Sequence, residues 1–164
     1  MATKEINVQR FSITSSKRFG EVTEAIDAAI GHPNMSAFRK NIESAKSFAD
    51  VETVVHRAIG PSGFMEFIRF DLGEILQKDR SDEAPQSLRV IVGNPLIMKQ
   101  MVELVPDAGS YAPVTILIDE RADGVHLSYD RMAGFLASYG NAEALRVALE
   151  LDAKVEALLT AAAK

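Results

Sequence analysis

Three polar residues of the kinds found in hydrolase triads, His126, Ser128 and Asp130, alternate along one predicted strand. Residues two apart on a strand share a face but lie roughly 6–7 Å apart, whereas a working triad needs direct hydrogen bonds of about 2.6–3.2 Å. The sequence also lacks a G-x-S-x-G nucleophile turn. The spacing therefore predicts a polar strand face. His126 and Asp130 remain candidates to line a pocket or, in an enzyme that needs no metal, to act as general acid or base.

The histidines and the absence of cysteine limit the other chemistry open to this chain. His32, His56 and His126 are the three histidines, and no two of them stand at the i, i+2 or i, i+4 spacing of metal ligands. A chain without cysteine has no disulfide, thiolate zinc site, iron–sulfur cluster or cysteine nucleophile. We therefore expect neither a metal site nor a cofactor.

The Gly-Asn-Pro turn at residues 93–95 is the other feature that could carry chemistry. It follows a predicted strand and opens a predicted helix, and amides at a helix N-terminus can bind an anion. It matches neither a Walker loop nor the G-x-G-x-x-G pattern. Asn at an N-cap followed by Pro at the first helical position also explains every residue structurally. An anion site and a simple capped turn both remain open.

Length, charge and hydropathy place the chain in a broad class. Its 164 residues carry a net charge of −5, and 47% of them are hydrophobic, which fits one domain over residues 1–164. An acidic chain with no basic patch is a poor nucleic-acid binder, because that affinity comes largely from phosphate neutralisation. No apolar window approaches the ~18 residues of a membrane span, and the N-terminus lacks the pattern of a signal peptide. We expect a cytoplasmic protein that binds neither nucleic acid nor membrane.

Capping and turn residues predict the elements that must position these side chains. Asn34, Ser47, Asn94 and Asn141 are predicted helix N-caps, Asp130 is predicted to cap a short helix that ends at Gly140, and Asp71 with Glu74 is predicted to cap a further turn. The predicted helices lie near 17–30, 34–45, 47–59, 95–104 and 141–162, and the predicted strands near 5–14, 63–70, 88–92, 113–120 and 125–130. For 5–14 the alternatives are a bulged strand and a tail leading into a short strand.

The order of these elements predicts an α+β fold. It indicates a two-layer sandwich, with helices mainly on one face of a mixed or antiparallel sheet of four or five strands and an extra helical insert near 34–59. The last helix carries a wide apolar stripe over residues 142–162. That stripe is expected either to pack deeply on the sheet or to form part of a homodimer contact.

The run from residue 91 to 133, IVGNPLIMKQMVELVPDAGSYAPVTILIDERADGVHLSYDRMA, resembles the domain-of-unknown-function family 302. The positions that carry the resemblance are Gly93, Asn94, Pro95, Pro106, Pro113, Val114, Asp123, Gly124, Ser128 and Tyr129. The resemblance implies a compact α/β sandwich, often dimeric, with no settled activity and no catalytic residues to carry over. The chain departs from the family pattern in residues 32–62, which are longer than the expected link and look helical.

The function predicted from these features is a small-molecule binding or sensing module, and the resemblance implies that it forms a homodimer. Its pocket is expected between sheet and helices, near the Asn94 turn and the polar face of the second hairpin arm (residues 125–130), where polar groups meet a methionine-bearing apolar surface. The nominated lining residues are Asn94, Tyr111, His126, Tyr129 and Asp130. The alternatives are the acid–base enzyme described above and a structural or partner-binding protein that uses the stripe of residues 142–162.

Overall fold

The computed structural model describes residue 1, residues 3–79 and residues 84–164. The strands are β1 (Arg10–Ser15), β2 (Met65–Asp71), β3 (Ser87–Gly93), β4 (Val114–Arg121) and β5 (Gly124–Asp130). The helices are α1 (Phe19–Ala29), α2 (Met35–Ser44), α3 (Phe48–Ala58), α4 (Leu72–Asp79), α5 (Pro95–Leu104), α6 (Met132–Ala137) and α7 (Ala142–Ala163), with a 3₁₀ turn at Pro106–Ser110. Of the two alternatives for residues 5–14, the structure has the tail that leads into a short strand.

The strands form one five-stranded sheet in the order β1-β5-β4-β3-β2, and each neighbouring pair is antiparallel. The predicted hairpin is confirmed, since Arg121 pairs with Gly124 across the turn. The alternation of side chains directs Ile116, Ile118 and Leu127 into the core, where each is fully buried. The predicted α+β sandwich is therefore confirmed, with an antiparallel sheet.

Helices cover one face of this sheet and leave much of the other face open. The long helix α7 contacts α1, α5, α6, β1 and β5, and it buries Val147, Leu151, Val155 and Leu159 in the common core. On the opposite face, Ile68 and Phe70 are 48% and 42% exposed. Most of the apolar stripe of α7 thus packs on the sheet within its own chain, the first of the two expected uses, although Leu149 stays exposed.

Four of the predicted N-caps are confirmed. The side chains of Asn34, Ser47, Asn94 and Asn141 each accept a hydrogen bond from an amide in the first turn of the helix that follows. The predicted cap between Asp71 and α4 is also present, because the Asp71 carboxylate accepts from the Glu74 amide at 3.0 Å. Local sequence therefore determines most of the helix starts.

The prediction that Asp130 caps the short helix α6 is wrong. Asp130 instead forms a bidentate ion pair with Arg10 on the neighbouring strand. The Arg10 Nε and Nη2 atoms donate to the two carboxylate oxygens at 2.6 and 2.8 Å. The first amides of α6 instead donate to a residue far away in the sequence. The Asp152 carboxylate on α7 accepts from the Met132 amide at 2.7 Å and from the Ala133 amide at 3.1 Å. The same carboxylate accepts the Tyr129 hydroxyl at 2.7 Å, so one buried acid joins β5, α6 and α7.

The predicted helical insert is present as α2 and α3. It departs from the body at Gly31 and returns at Gly60, and both amides bond to the Phe64 carbonyl at 2.8 Å. The two ends approach so closely that a Cβ at Gly31 would lie 1.9 Å from the Ala58 carbonyl oxygen. Helix α2 has no fully buried residue. The insert is therefore joined to the rest of the domain by two closely spaced chain ends, and α2 does not pack tightly against the core.

None of the described helices is both long and apolar enough to cross a bilayer.

Candidate functional site

The turn after β3 forms one end of the candidate site. The Asn94 carboxamide oxygen accepts from the Leu96 amide and its nitrogen donates to the Gly63 carbonyl, both at 2.9 Å. Gly93 packs closely on the start of β4, since a Cβ there would lie 3.1 Å from the Cβ of Pro113, tighter than an ordinary contact. Both ends of the Asn94 side chain are therefore engaged in holding the turn, as the capped-turn alternative predicts.

A cavity of about 520 Å³ lies between the helical insert and the start of α5. A second part of its wall comes from the end of the 3₁₀ turn and the start of β4, including the cis peptide before Pro113. The register of β2 against β3 shifts between Glu66 and Ile68, and Phe67, within this irregularity, also lines the space. Side chains from distant parts of the chain thus surround a volume that falls within the range of small-molecule pockets. We call it the insert cavity.

The lining of the insert cavity is almost entirely apolar. Its apolar side chains are Phe38, Ile42, Phe48, Val51, Phe67, Pro95, Leu96, Ile97, Met98, Met101, Ala112, Pro113, Val114 and Leu151. Among the described residues, Asn94 and Lys99 are the polar side chains of this lining. Aromatic rings with flexible methionines give a soft apolar surface that adapts to ligands of different shape.

Lys99 places one positive charge beside this apolar space. Its ammonium group lies 4.9 Å from the centre of the Phe48 ring, within the range of a cation–π contact, and it forms an ion pair with Glu103 one turn later on α5. The Lys99 and Glu103 side chains are 41% and 58% exposed, and Phe48 is 48% exposed. The charge therefore lies where the cavity meets solvent.

A second, more polar groove of about 660 Å³ runs over the open face of the sheet. Arg10, Arg89, Tyr111 and Asp130 line it. The Arg10 ion pair, chiefly through its hydrogen bonds, holds the pKa of the Asp130 carboxyl below its usual range. An ionised carboxylate already paired with arginine is poorly suited to donate a proton near neutral pH. Within this groove, Asp130 therefore serves as the ionised partner of Arg10.

Aromatic residues close one end of the open-face groove. The Tyr111 ring stacks on Phe135 with centroids 4.6 Å apart, and its hydroxyl lies 2.7 Å from that of Tyr139. The Lys4 ammonium lies 3.4 Å from the centre of the Tyr139 ring. Tyr111 is therefore held by packing and by a hydrogen bond, away from the insert cavity.

His126 lies on the open face but outside the lining of the insert cavity and of the open-face groove. Its Nε2 atom is 2.8 Å from an Asp123 carboxylate oxygen and 3.5 Å from the Thr14 hydroxyl. The hydrogen bond from His126 lowers the pKa of Asp123. His126 and Asp130 are four residues apart on β5, or about 13 Å along the strand, so they do not converge on one reacting atom.

The five nominated residues do not meet in one pocket. Asn94 lines the insert cavity, while Tyr111, Tyr129 and Asp130 line the open-face groove, and His126 lies outside both. The Tyr129 hydroxyl points to the helical side, where it bonds to Asp152. The pocket was predicted near both the Asn94 turn and the second hairpin arm, whereas the insert cavity adjoins the Asn94 turn and none of its described lining residues comes from that arm. Sequence reasoning also missed the wall that the insert supplies. The signal was present in the apolar positions of α2, which recur at helical spacing although α2 has no fully buried residue.

The structure also assembles a charged cluster that the sequence did not reveal, because its members come from separate elements. Ligand-type atoms of Asp27, His32 and Glu66 all lie within 4.8 Å of one another. The Arg69 guanidinium is bonded to both carboxylates, and these bonds, first that with Asp27, raise the pKa of Arg69. The arginine supplies the positive charge that a metal would bring, so the cluster is an ion-pair network between α1 and β2.

The geometry defines an α+β sandwich with an antiparallel sheet, helices on one face and an apolar cavity under a helical insert. The same fold is found in the crystal structure of an uncharacterized conserved protein DUF302 from Bacillus stearothermophilus, with a TM-score of 0.64, 12% sequence identity, and coverage of 93% of this chain and 97% of that chain. No curated protein matches the sequence. The family model named "Domain of unknown function DUF302" matches residues 40–162, so the chain belongs to the DUF302 family.

Proposed function

We propose that the chain is a small-molecule-binding module and that its ligand occupies the insert cavity. The observation that carries this proposal is a space of about 520 Å³ whose lining is apolar except for Asn94 and Lys99. Binding sites for small molecules are concave, mostly apolar and of about 300–1,000 Å³. When a ligand displaces water from the apolar side chains that face such a space, the removal of apolar surface from water favours binding.

Two substitutions on α3 test this location. Val51 lines the insert cavity, whereas Val54, on the same helix, lines a separate outer groove between α2 and α3. Calorimetric titration with decanol, an uncharged apolar probe, is expected to show binding to the parent protein. Val51→Phe fills part of the cavity and should weaken binding about tenfold, which corresponds to ~1.4 kcal/mol of lost apolar contact. Val54→Phe should leave binding unchanged. No binding to the parent, or equal loss in both variants, would contradict the proposal.

We also propose that residues 1–164 act as one domain that pairs with a second copy through the open face of the sheet. The residues that favour this face are Ile68 and Phe70, which are large, apolar and substantially exposed, and covering them with a second copy would remove apolar surface from water. The stripe of α7 is unsuited to the role, because Leu151 is only 3% exposed within its own chain.

Sedimentation velocity tests the dimer and its location together. Phe70→Glu places a charge on the proposed contact and should convert a dimer to monomers. Leu149→Glu is the matched control, because Leu149 is 55% exposed but lies on α7, away from the open face. A monomeric parent protein would refute the dimer, and a Phe70→Glu variant that remains dimeric would refute the location.

A further inference from the structure

We infer that the ligand of the insert cavity is an amphipathic monocarboxylate, an apolar chain or ring with one anionic end, and that Lys99 binds this end. The inference rests on the proposed function and narrows it to a chemical class. It follows from three observations: the composition of the lining, the engagement of its neutral polar residue, and the position of its positive charge.

The lining requires the body of the ligand to be apolar. A polar group that enters the cavity must exchange its bonds to water for bonds to the wall, and without a partner this exchange costs free energy. Asn94 is the neutral polar side chain of the described lining, and both ends of its carboxamide are already bonded to the backbone. A sugar or a nucleotide would therefore leave most of its hydrogen-bonding groups unsatisfied, whereas a hydrocarbon would not.

The position of Lys99 favours an anionic end over a neutral or cationic one. The ammonium lies over the ring of Phe48, and both residues line the cavity. Its ion pair with Glu103 is an exposed i, i+4 pair, of a kind that contributes little to stability. A ligand carboxylate can therefore compete for the ammonium and form a charge-assisted hydrogen bond at the edge of the apolar space. A cationic ligand would be repelled by the same group.

Three probes with the same chain and different ends test the class directly. Calorimetric titrations would use decanoate, decanol and decyltrimethylammonium, each below its micelle-forming concentration. We expect decanoate to bind about two- to fivefold more tightly than decanol, the range of an exposed charge pair, and the cation to bind most weakly. Equal affinities for decanoate and decanol, or tighter binding of the cation, would overturn the inference while leaving the proposed function intact. If none of the three binds, the proposed function fails as well.

Two variants on α5 then assign the preference to Lys99. Lys99→Met keeps an unbranched apolar stem and should lose the preference for decanoate while it still binds decanol, which also shows that the variant is folded. Glu103→Gln removes the competing carboxylate and should strengthen decanoate binding. Lys154→Met, at an exposed position on α7, is the matched control and should behave like the parent. A Lys99→Met variant that retains the preference for decanoate would refute the role of Lys99.

Discussion

The buried carboxylate of Asp152 supports a specific prediction about stability. Asp152 is 3% exposed and accepts three hydrogen bonds, from the Tyr129 hydroxyl and from the amides of Met132 and Ala133. Asp152→Ala removes all three bonds. The Met132 amide keeps a longer bond to the Tyr129 hydroxyl oxygen, at 3.2 Å. The Tyr129 hydroxyl and the Ala133 amide lose their acceptor, and each donor left without a partner costs about 1–3 kcal/mol. Allowing for some access of water to these groups, we expect the free energy of unfolding to fall by about 3–5 kcal/mol.

A second substitution at this position separates hydrogen bonding from side-chain size. In Asp152→Asn the amide oxygen can still accept from Tyr129 and Met132, which share one carboxylate oxygen. The amide nitrogen would then face the Ala133 N–H, a donor against a donor. The loss should therefore be smaller, about 1–3 kcal/mol.

Urea unfolding monitored by circular dichroism measures these differences, and a double-mutant cycle measures the coupling between Asp152 and Tyr129. Combining Asp152→Ala with Tyr129→Phe should give a coupling free energy of about 1 kcal/mol, because the two side chains share a hydrogen bond and both accept from the Met132 amide. Glu150→Ala, at an exposed position on the same helix, is the control and should stay within about 0.5 kcal/mol of the parent. If Asp152→Ala also stayed within that margin, the proposed joining of β5, α6 and α7 through this carboxylate would be refuted.

Three further predictions concern pH, an ion-pair network and a cap. Burial, with the nearby carboxylate of Asp152, raises the pKa of Tyr129. The contribution of Tyr129 to the free energy of unfolding should therefore be fully present below the unfolded tyrosine pKa of about 10 and fall as pH rises above it. Alkaline unfolding curves of Tyr129→Phe should lack this pH dependence. Arg69→Met leaves Asp27 and Glu66 unneutralised and should cost about 1–2 kcal/mol, less at high salt, in urea unfolding with and without added NaCl. Asn94→Ala removes a cap and a bond to backbone and should cost about 1–2 kcal/mol by urea midpoint; an unchanged midpoint would contradict it.

Helix starts and the hairpin were predictable because their determinants are local. Asn34, Ser47, Asn94 and Asn141 each satisfy amides only two or three residues ahead, so the sequence alone contains both partners. Apolar and polar side chains alternate along β4 and β5. When helices cover one face of the sheet, this alternation specifies which side chains are buried. The α+β class follows from these elements in their order along the chain.

The error at Asp130 shows where such local reasoning fails. Asp130 stands at the right position to cap α6, yet Arg10 on the adjacent strand offers a two-pronged, charge-assisted partner. Once Asp130 turns to the open face, the amides of α6 need another acceptor, and Asp152 reaches them from α7. Neither partner lies within a few residues of the helix start, so a capping rule read from consecutive residues could not identify either.

The insert cavity was beyond sequence reasoning for a related reason. Its wall joins Phe38 on α2, Phe67 in the irregularity of β2 and Leu151 on α7, and only the tertiary fold brings these positions together. Sequence periodicity shows which face of a helix is apolar but not whether a neighbour fills the space beside it. The sequence-based nominations were polar residues, whereas most of the cavity lining is apolar and looks like ordinary core in the sequence.

The distribution of polar and apolar groups over the two concave surfaces argues for binding by the insert cavity over acid–base chemistry on the sheet. On the open face, the carboxylate of Asp130 is neutralised by Arg10 and the imidazole of His126 is bonded to Asp123, so the groups with acid–base potential have protein partners and lie far apart. In the insert cavity, by contrast, apolar side chains face space that protein atoms do not fill. Unfilled apolar surface forgoes packing free energy, and a ligand that occupies it recovers that free energy. We therefore expect a ligand of this DUF302-family member to bind under the insert, where recognition would depend on shape and on one charge.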